Sequence, residues 1–154
     1  MNRTRLALAT GGALAALAFT GAVAAPAVSD WWDGRHDEFD SYATGAAAKA
    51  DRASVPRWLP DDAASVEYAM RTTGGDRALK AVLPSTAPPA GCAPLAADAS
   101  RPTPALSTDL FPADAARKAA VRCGLYYAYV DGHTLYAWQD NRDWIKDNKA
   151  GSPH

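Results

Sequence analysis

Cys123-Gly-Leu-Tyr-Tyr-Ala-Tyr-Val-Asp-Gly-His-Thr-Leu-Tyr-Ala-Trp138 is the stretch on which the reading of this chain turns. Two aromatic-rich runs flank Asp131-Gly132, a dipeptide that tolerates the positive φ angles of a tight hairpin turn. A two-residue loop there would set Val130 opposite His133 and Tyr127 opposite Tyr136. One face of the hairpin would then carry Tyr126, Ala128, Val130, His133, Leu135 and Ala137. The other would carry Leu125, Tyr127, Tyr129, Thr134, Tyr136 and Trp138. Cross-strand aromatic pairs contribute roughly 0.2–1 kcal/mol each, and a lone hairpin is marginal in water. This one must therefore pack on something.

Upstream, Ser65–Thr72 alternates with period two, placing Val66, Tyr68, Met70 and Thr72 on one side and Glu67 and Arg71 on the other. Thr73-Gly74-Gly75-Asp76 reads as a turn. Arg77–Leu83 follows as a second strand, with Leu79, Ala81 and Leu83 aligned. Before them, the prolines around Trp58-Leu59 hold Val55–Asp62 extended, and Trp58 is expected to plug the sheet's edge. Between the two hairpins, Pro84–Thr108 is too rich in proline for a helix or a central strand and is expected to be a surface loop. Asp109–Arg122 supplies the single helix candidate: Pro112 suits a first turn, Ala113–Arg122 are mostly helix formers, and the basic residues lie toward the carboxyl end. Trp144 and Ile145 are expected to fold back on the sheet.

The order β-β-loop-α-β-β predicts a small α+β domain over residues 55–145. Its antiparallel sheet would have about four strands, in two hairpins, with one helix. Residues 25–54 read as a flexible tether and 146–154 as a disordered tail.

Residues 1–24 have the three parts of a signal peptide. Arg3 and Arg5 precede an apolar Leu6–Phe19, and Ala22-x-Ala24 offers small residues for cleavage. The competing reading is an uncleaved anchor extending to Val28, with Trp31-Trp32 at the membrane interface. Secretion is thus expected, or else attachment to the plasma membrane. An oxidising compartment would pair Cys92 with Cys123. Closing a loop of about thirty residues stabilises by roughly 3–4 kcal/mol in the chain-entropy model.

Charge points to no partner. The chain has 16 basic and 17 acidic residues, and without Arg3 and Arg5 the balance is 14 against 17, near −3. No basic stripe suggests nucleic acid.

Candidate chemistry is sparse. Asp33, His36, Asp37, Glu38 and Asp40 are cation-ligand types, but their spacing is not that of a calcium loop, and they read as a solvated tether. Asp131 and His133 could form a base and its orienter, and Glu67 or Asp61-Asp62 could supply carboxylates. No nucleophile motif or phosphate-cradling glycine loop accompanies them, so no catalytic residue, metal or cofactor is assigned. The aromatic residues are better candidates. A helix on one side of a sheet buries only one face, which would leave Tyr127, Tyr129, Tyr136 and Trp138 as a binding surface unless the long loop covers them.

Val55-Pro-Arg-Trp-Leu-Pro-Asp-Asp62, Cys92 in its proline-rich loop, Cys123 and Val130-Asp-Gly-His-Thr-Leu-Tyr-Ala-Trp138 resemble small exported actinobacterial proteins of uncharacterised function. The resemblance spans residues 55–138 and supplies no site residues. The expected function is an exported, non-catalytic module that binds a protein through the aromatic hairpin. Cell-wall or polysaccharide binding by the same rings is the alternative, and a small hydrolase using His133 is a third.

Overall fold

The computed structural model describes residues 36–106 and 109–151. The proposed signal peptide, Trp31-Trp32 and the first part of the expected tether lie outside them. The described residues form an α+β fold dominated by one antiparallel sheet, larger than the four strands expected from sequence. Its strands are β1 (Asp37–Thr44), β2 (Ala64–Arg71), β3 (Arg77–Val82), β4 (Cys92–Pro94), β5 (Val121–Cys123), β6 (Tyr126–Asp131) and β7 (Thr134–Gln139). Three helices accompany them: α1 (Gly45–Asp51), α2 (Ala115–Lys118) and α3 (Asn141–Ala150). The sheet runs β1-β2-β3-β7-β6-β5-β4.

Both expected hairpins form, and they join edge to edge where β3 pairs with β7, Leu79 opposite Ala137 and Ala81 opposite Leu135. The turn of the second hairpin differs from expectation. Asp131 pairs with Thr134, Tyr129 with Tyr136 and Tyr127 with Trp138, so the loop is Gly132-His133. Gly132 has φ 60°, which suits the first central position of a II′ turn. The register is thus shifted by two residues relative to the expected pairing. Because side chains alternate with period two, a shift of two changes partners and keeps faces.

Three further strands come from segments expected to be irregular or helical. β1 and α1 occupy part of the expected tether. Asp37, Glu38 and Asp40 had suggested a solvated run, but Arg residues distant in sequence neutralise them. Arg52 reaches Glu38 and Asp40 at 2.6 Å each, and Arg71 reaches Asp37 at 3.0 Å. Thr44 then caps α1, its Oγ1 accepting from the Ala47 amide at 3.1 Å. The expected helix over Asp109–Arg122 shrinks to the single turn α2, since a short isolated helix gains little from propensity. Its last residues become β5, where Val121 and Cys123 are buried. Cys92 and Cys123 face each other across β4 and β5 and are joined by the disulfide, with Cα atoms 4.2 Å apart. In place of the first part of the expected tail stands α3, capped by Asp140.

Both faces of the sheet are covered. On one, Val66, Tyr68, Leu79, Ala128, Leu135 and Ala137 are buried with Ala48 of α1 and with Val55 and Leu59. Trp58 joins this layer, packing edge-on to Tyr126 at 5.4 Å. It lies over β6 and does not plug an edge. On the other face, Ala69, Ala78, Tyr127, Tyr129 and Trp138 are buried with Leu106, Ala115 and Ala119, against which Leu95 and Phe111 pack. The proline-rich segment, through Leu95 and Leu106, and the following stretch from Phe111 to Ala119, with α2, together cover this second face. Trp144 and Ile145 stay more than one-third exposed on α3.

Candidate functional site

Tyr127, Tyr129, Tyr136 and Trp138 do share one face of the hairpin, and that face is largely interior. Trp138 is 1% exposed, Tyr129 4% and Tyr127 6%, while Tyr136 is half-buried. Tyr129 stacks on Tyr136 at 4.9 Å and Phe111 stands edge-on to Trp138 at 5.7 Å. The polar ends of two rings are satisfied locally. The Trp138 indole donates to the Pro102 carbonyl at 2.8 Å, and the Tyr127 hydroxyl donates to Asp143 at 2.8 Å. Arg122 lies 3.9 Å from the Tyr127 ring centre and also pairs with Asp143 at 3.0 Å. Burial raises the Tyr127 hydroxyl pKa, and the Asp143 hydrogen bond adds to the rise. These rings hold the cover in place.

The residues considered for catalysis are held apart by different partners. His133 Nδ1 lies 3.0 Å from the Leu83 carbonyl oxygen, Asp131 faces Lys118 at 3.8 Å and Glu67 pairs with Lys80 at 3.2 Å. Asp61 pairs with Lys49. Among the described residues, no three His, Cys, Asp or Glu side chains gather in a metal-binding group. Nor is any described helix long and apolar enough to cross a membrane.

Beside the end of β6 lies a cleft of about 430 Å³. It is lined by Tyr129, Val130 and Asp131 along β6, by Lys118, Ala120 and Val121 on the side of α2 and β5, and by Thr86 and Pro88 on the side of the proline-rich segment. Each side has a local cause. β5 is only three residues long, and the chain before it turns into α2, so β6 runs on past its neighbour. The opposite side is the start of the proline-rich segment, which cannot supply a paired strand.

The cleft's electrostatics centre on Lys118. Its ammonium lies 3.7 Å from Asp114 and 3.8 Å from Asp131, and it sits 5.8 Å from the centre of the Tyr129 ring. The Tyr129 hydroxyl is buried and makes no hydrogen bond to any described residue. Burial pushes its pKa up to about 12, helped by Tyr136, Asp114 and Asp131. Sequence reasoning selected Tyr129 but not Lys118 or Val130.

No family model matches this chain, and neither the curated proteins nor the solved structures contain a match.

Proposed function

We propose that this protein is an exported, disulfide-closed binding module whose ligand occupies the cleft beside Tyr129 and Val130. The observation that carries this reading is the exposed run of β6 beyond β5, lined on two sides and by one flanked ammonium. Export is supported by the charged start, apolar run and Ala22-x-Ala24 of the amino-terminal sequence, together with the disulfide. Binding by a row of open rings is not supported, because three of the four candidates are buried beneath Leu95, Phe111 and α2. Sugar recognition by ring stacking loses its platform for the same reason.

A photo-crosslinking amino acid placed at Thr86 tests the reading, with the same probe at exposed Phe39 on β1 as control. The disulfide-intact mature chain would be exposed to culture fluid, envelope and purified cell wall. Specific capture from Thr86 alone supports the cleft. Equal capture from both positions, or none from Thr86, contradicts it. Intact mass of the chain recovered from culture fluid tests export, with Ala25 as the expected first residue.

A further inference from the structure

The pairing of β7 with β3 settles which way each backbone group of the hairpin points. The Leu83 amide donates to the His133 carbonyl at 2.7 Å, in register with the β3–β7 ladder. Residues 133, 135 and 137 therefore direct their backbone groups toward β3, and Thr134, Tyr136 and Trp138 direct theirs toward β6. Their partners are Asp131, Tyr129 and Tyr127. It follows that Val130, like Ala128 and Tyr126, turns its N–H and C=O away from β7. The Ala128 carbonyl is met by the Ala120 amide at 2.9 Å. Beyond that bond the ladder stops. The Lys118 amide is committed to the Asp114 carbonyl at 3.3 Å, and the Ala119 carbonyl accepts from Arg101 Nε at 3.1 Å. Val130 thus presents a strand-edge donor and acceptor to the cleft it lines.

We propose that the cleft binds an extended segment of another polypeptide, bearing a Lys or Arg side chain, which adds to the sheet against Val130. The proposal rests on the cleft being the binding site and names its ligand class. An exposed strand edge is complementary to a peptide backbone, which supplies one acceptor and one donor at the same spacing. About three extended residues, spanning roughly 10 Å, would lie along this edge. The charge preference follows from the mouth: the single Lys118 ammonium stands between Asp114 and Asp131, and the Asp131 side chain is 68% exposed. That arrangement leaves a net negative charge, which favours a basic side chain and repels an acidic one.

The test is an NMR titration of the ¹⁵N-labelled, disulfide-intact mature chain with capped tripeptides. The probes are acetyl-Ala-Lys-Ala methylamide, its Glu counterpart, and ester analogues of the Lys peptide in which each linkage in turn lacks its N–H. The Lys peptide should shift the amides of Ala120, Val121, Val130 and Asp131, and bind about fivefold or more tighter than the Glu peptide. One ester analogue should bind about tenfold more weakly, as expected for one lost hydrogen bond. Asp131→Asn should reduce the Lys preference to about twofold. Equal binding of all ester analogues, or no preference for Lys, overturns strand addition by a basic peptide. Absence of cleft shifts up to about 10 mM peptide overturns the ligand class; the site itself survives only if crosslinking from Thr86 still captures a molecule. Dimerisation of the chain through these same residues would assign the cleft to a second copy and overturn the separate partner.

Discussion

Tyr129→Phe removes one oxygen from the interior and nothing else. The ring keeps its stack on Tyr136 at 4.9 Å and its edge contact with Trp138 at 6.5 Å. What is lost is a buried hydroxyl that has no hydrogen-bond partner among the described residues. A buried polar group left unsatisfied costs about 1–3 kcal/mol, so the Phe variant should be more stable by about 1 kcal/mol. For a folded region of this size that is a rise in Tm of about 4 °C. Alkaline pH enlarges the difference. The unfolded hydroxyl ionises near pH 10, whereas burial first, then Tyr136, Asp114 and Asp131, push the folded value up to about 12. Stability associated with the protonated tyrosine is present below about pH 10 and is lost as pH rises through about 12. The Phe variant has no proton to release at this position, so its advantage should widen across that window, by an amount on the order of 2 kcal/mol. Urea unfolding followed by tryptophan fluorescence at pH 7 and at intervals from pH 9 to 12 measures both effects. A loss of stability at pH 7 would refute the reasoning by showing that the hydroxyl is bonded in the folded chain, and a constant difference across the alkaline range would refute it by showing that the hydroxyl ionises as readily folded as unfolded.

Replacing Cys92 and Cys123 together by Ala should cost about 3 kcal/mol, since the bond closes a 31-residue separation. Hydrogen exchange should show the loss at β4 and β5 before β2 and β3. Trp138→Ala, at a position 1% exposed beneath Phe111, should destabilise by about 3–5 kcal/mol in denaturant titration. A near-neutral result would mean that the ring is a surface feature after all. Asp140 accepts from the Arg142 amide and guanidinium at 2.9 Å each, and the guanidinium hydrogen bond is the main cause holding its carboxyl below the usual range. Its contribution is therefore present above about pH 4 and lost as pH falls through the depressed value. Asp140→Ala should cost about 1 kcal/mol at pH 7, with the deficit vanishing in acid, as read from stability curves between pH 2 and 7.

The parts of the fold that were legible are those encoded locally. Alternation in Ser65–Thr72 and Tyr126–Trp138 marked strands and also sorted their faces, because period two survives an error in turn position. The cysteine pair was legible once residues 1–24 were read as an export signal. β1 was not, because its carboxylates are neutralised by Arg52 and Arg71, whose approach depends on tertiary structure. The same holds for the aromatic face. Nothing local in Tyr127, Tyr129 and Trp138 reveals that Leu95 and Phe111 will cross over them. The cleft is harder still to read, since it arises where two strands of unequal length stop matching. Its recognition groups include a backbone amide and carbonyl, which every residue has.

The joint between the two hairpins has a kinetic consequence. Val82 and Thr134, where β3 meets β7, are about 52 positions apart, and every other strand pairing joins neighbours in sequence. Closing that joint is the slow, entropically costly step expected of non-local sheet pairing. The disulfide lies wholly inside the intervening chain and short-circuits 31 of those positions, leaving an effective loop of about 21. Loop-closure entropy scales with the logarithm of length, so the shorter path lowers the closure cost by about 0.8 kcal/mol. If that difference is felt in full at the transition state, the oxidised chain zips its two halves together about fourfold faster than the reduced one. A bond at the margin of the sheet thereby sets the pace at which its centre assembles.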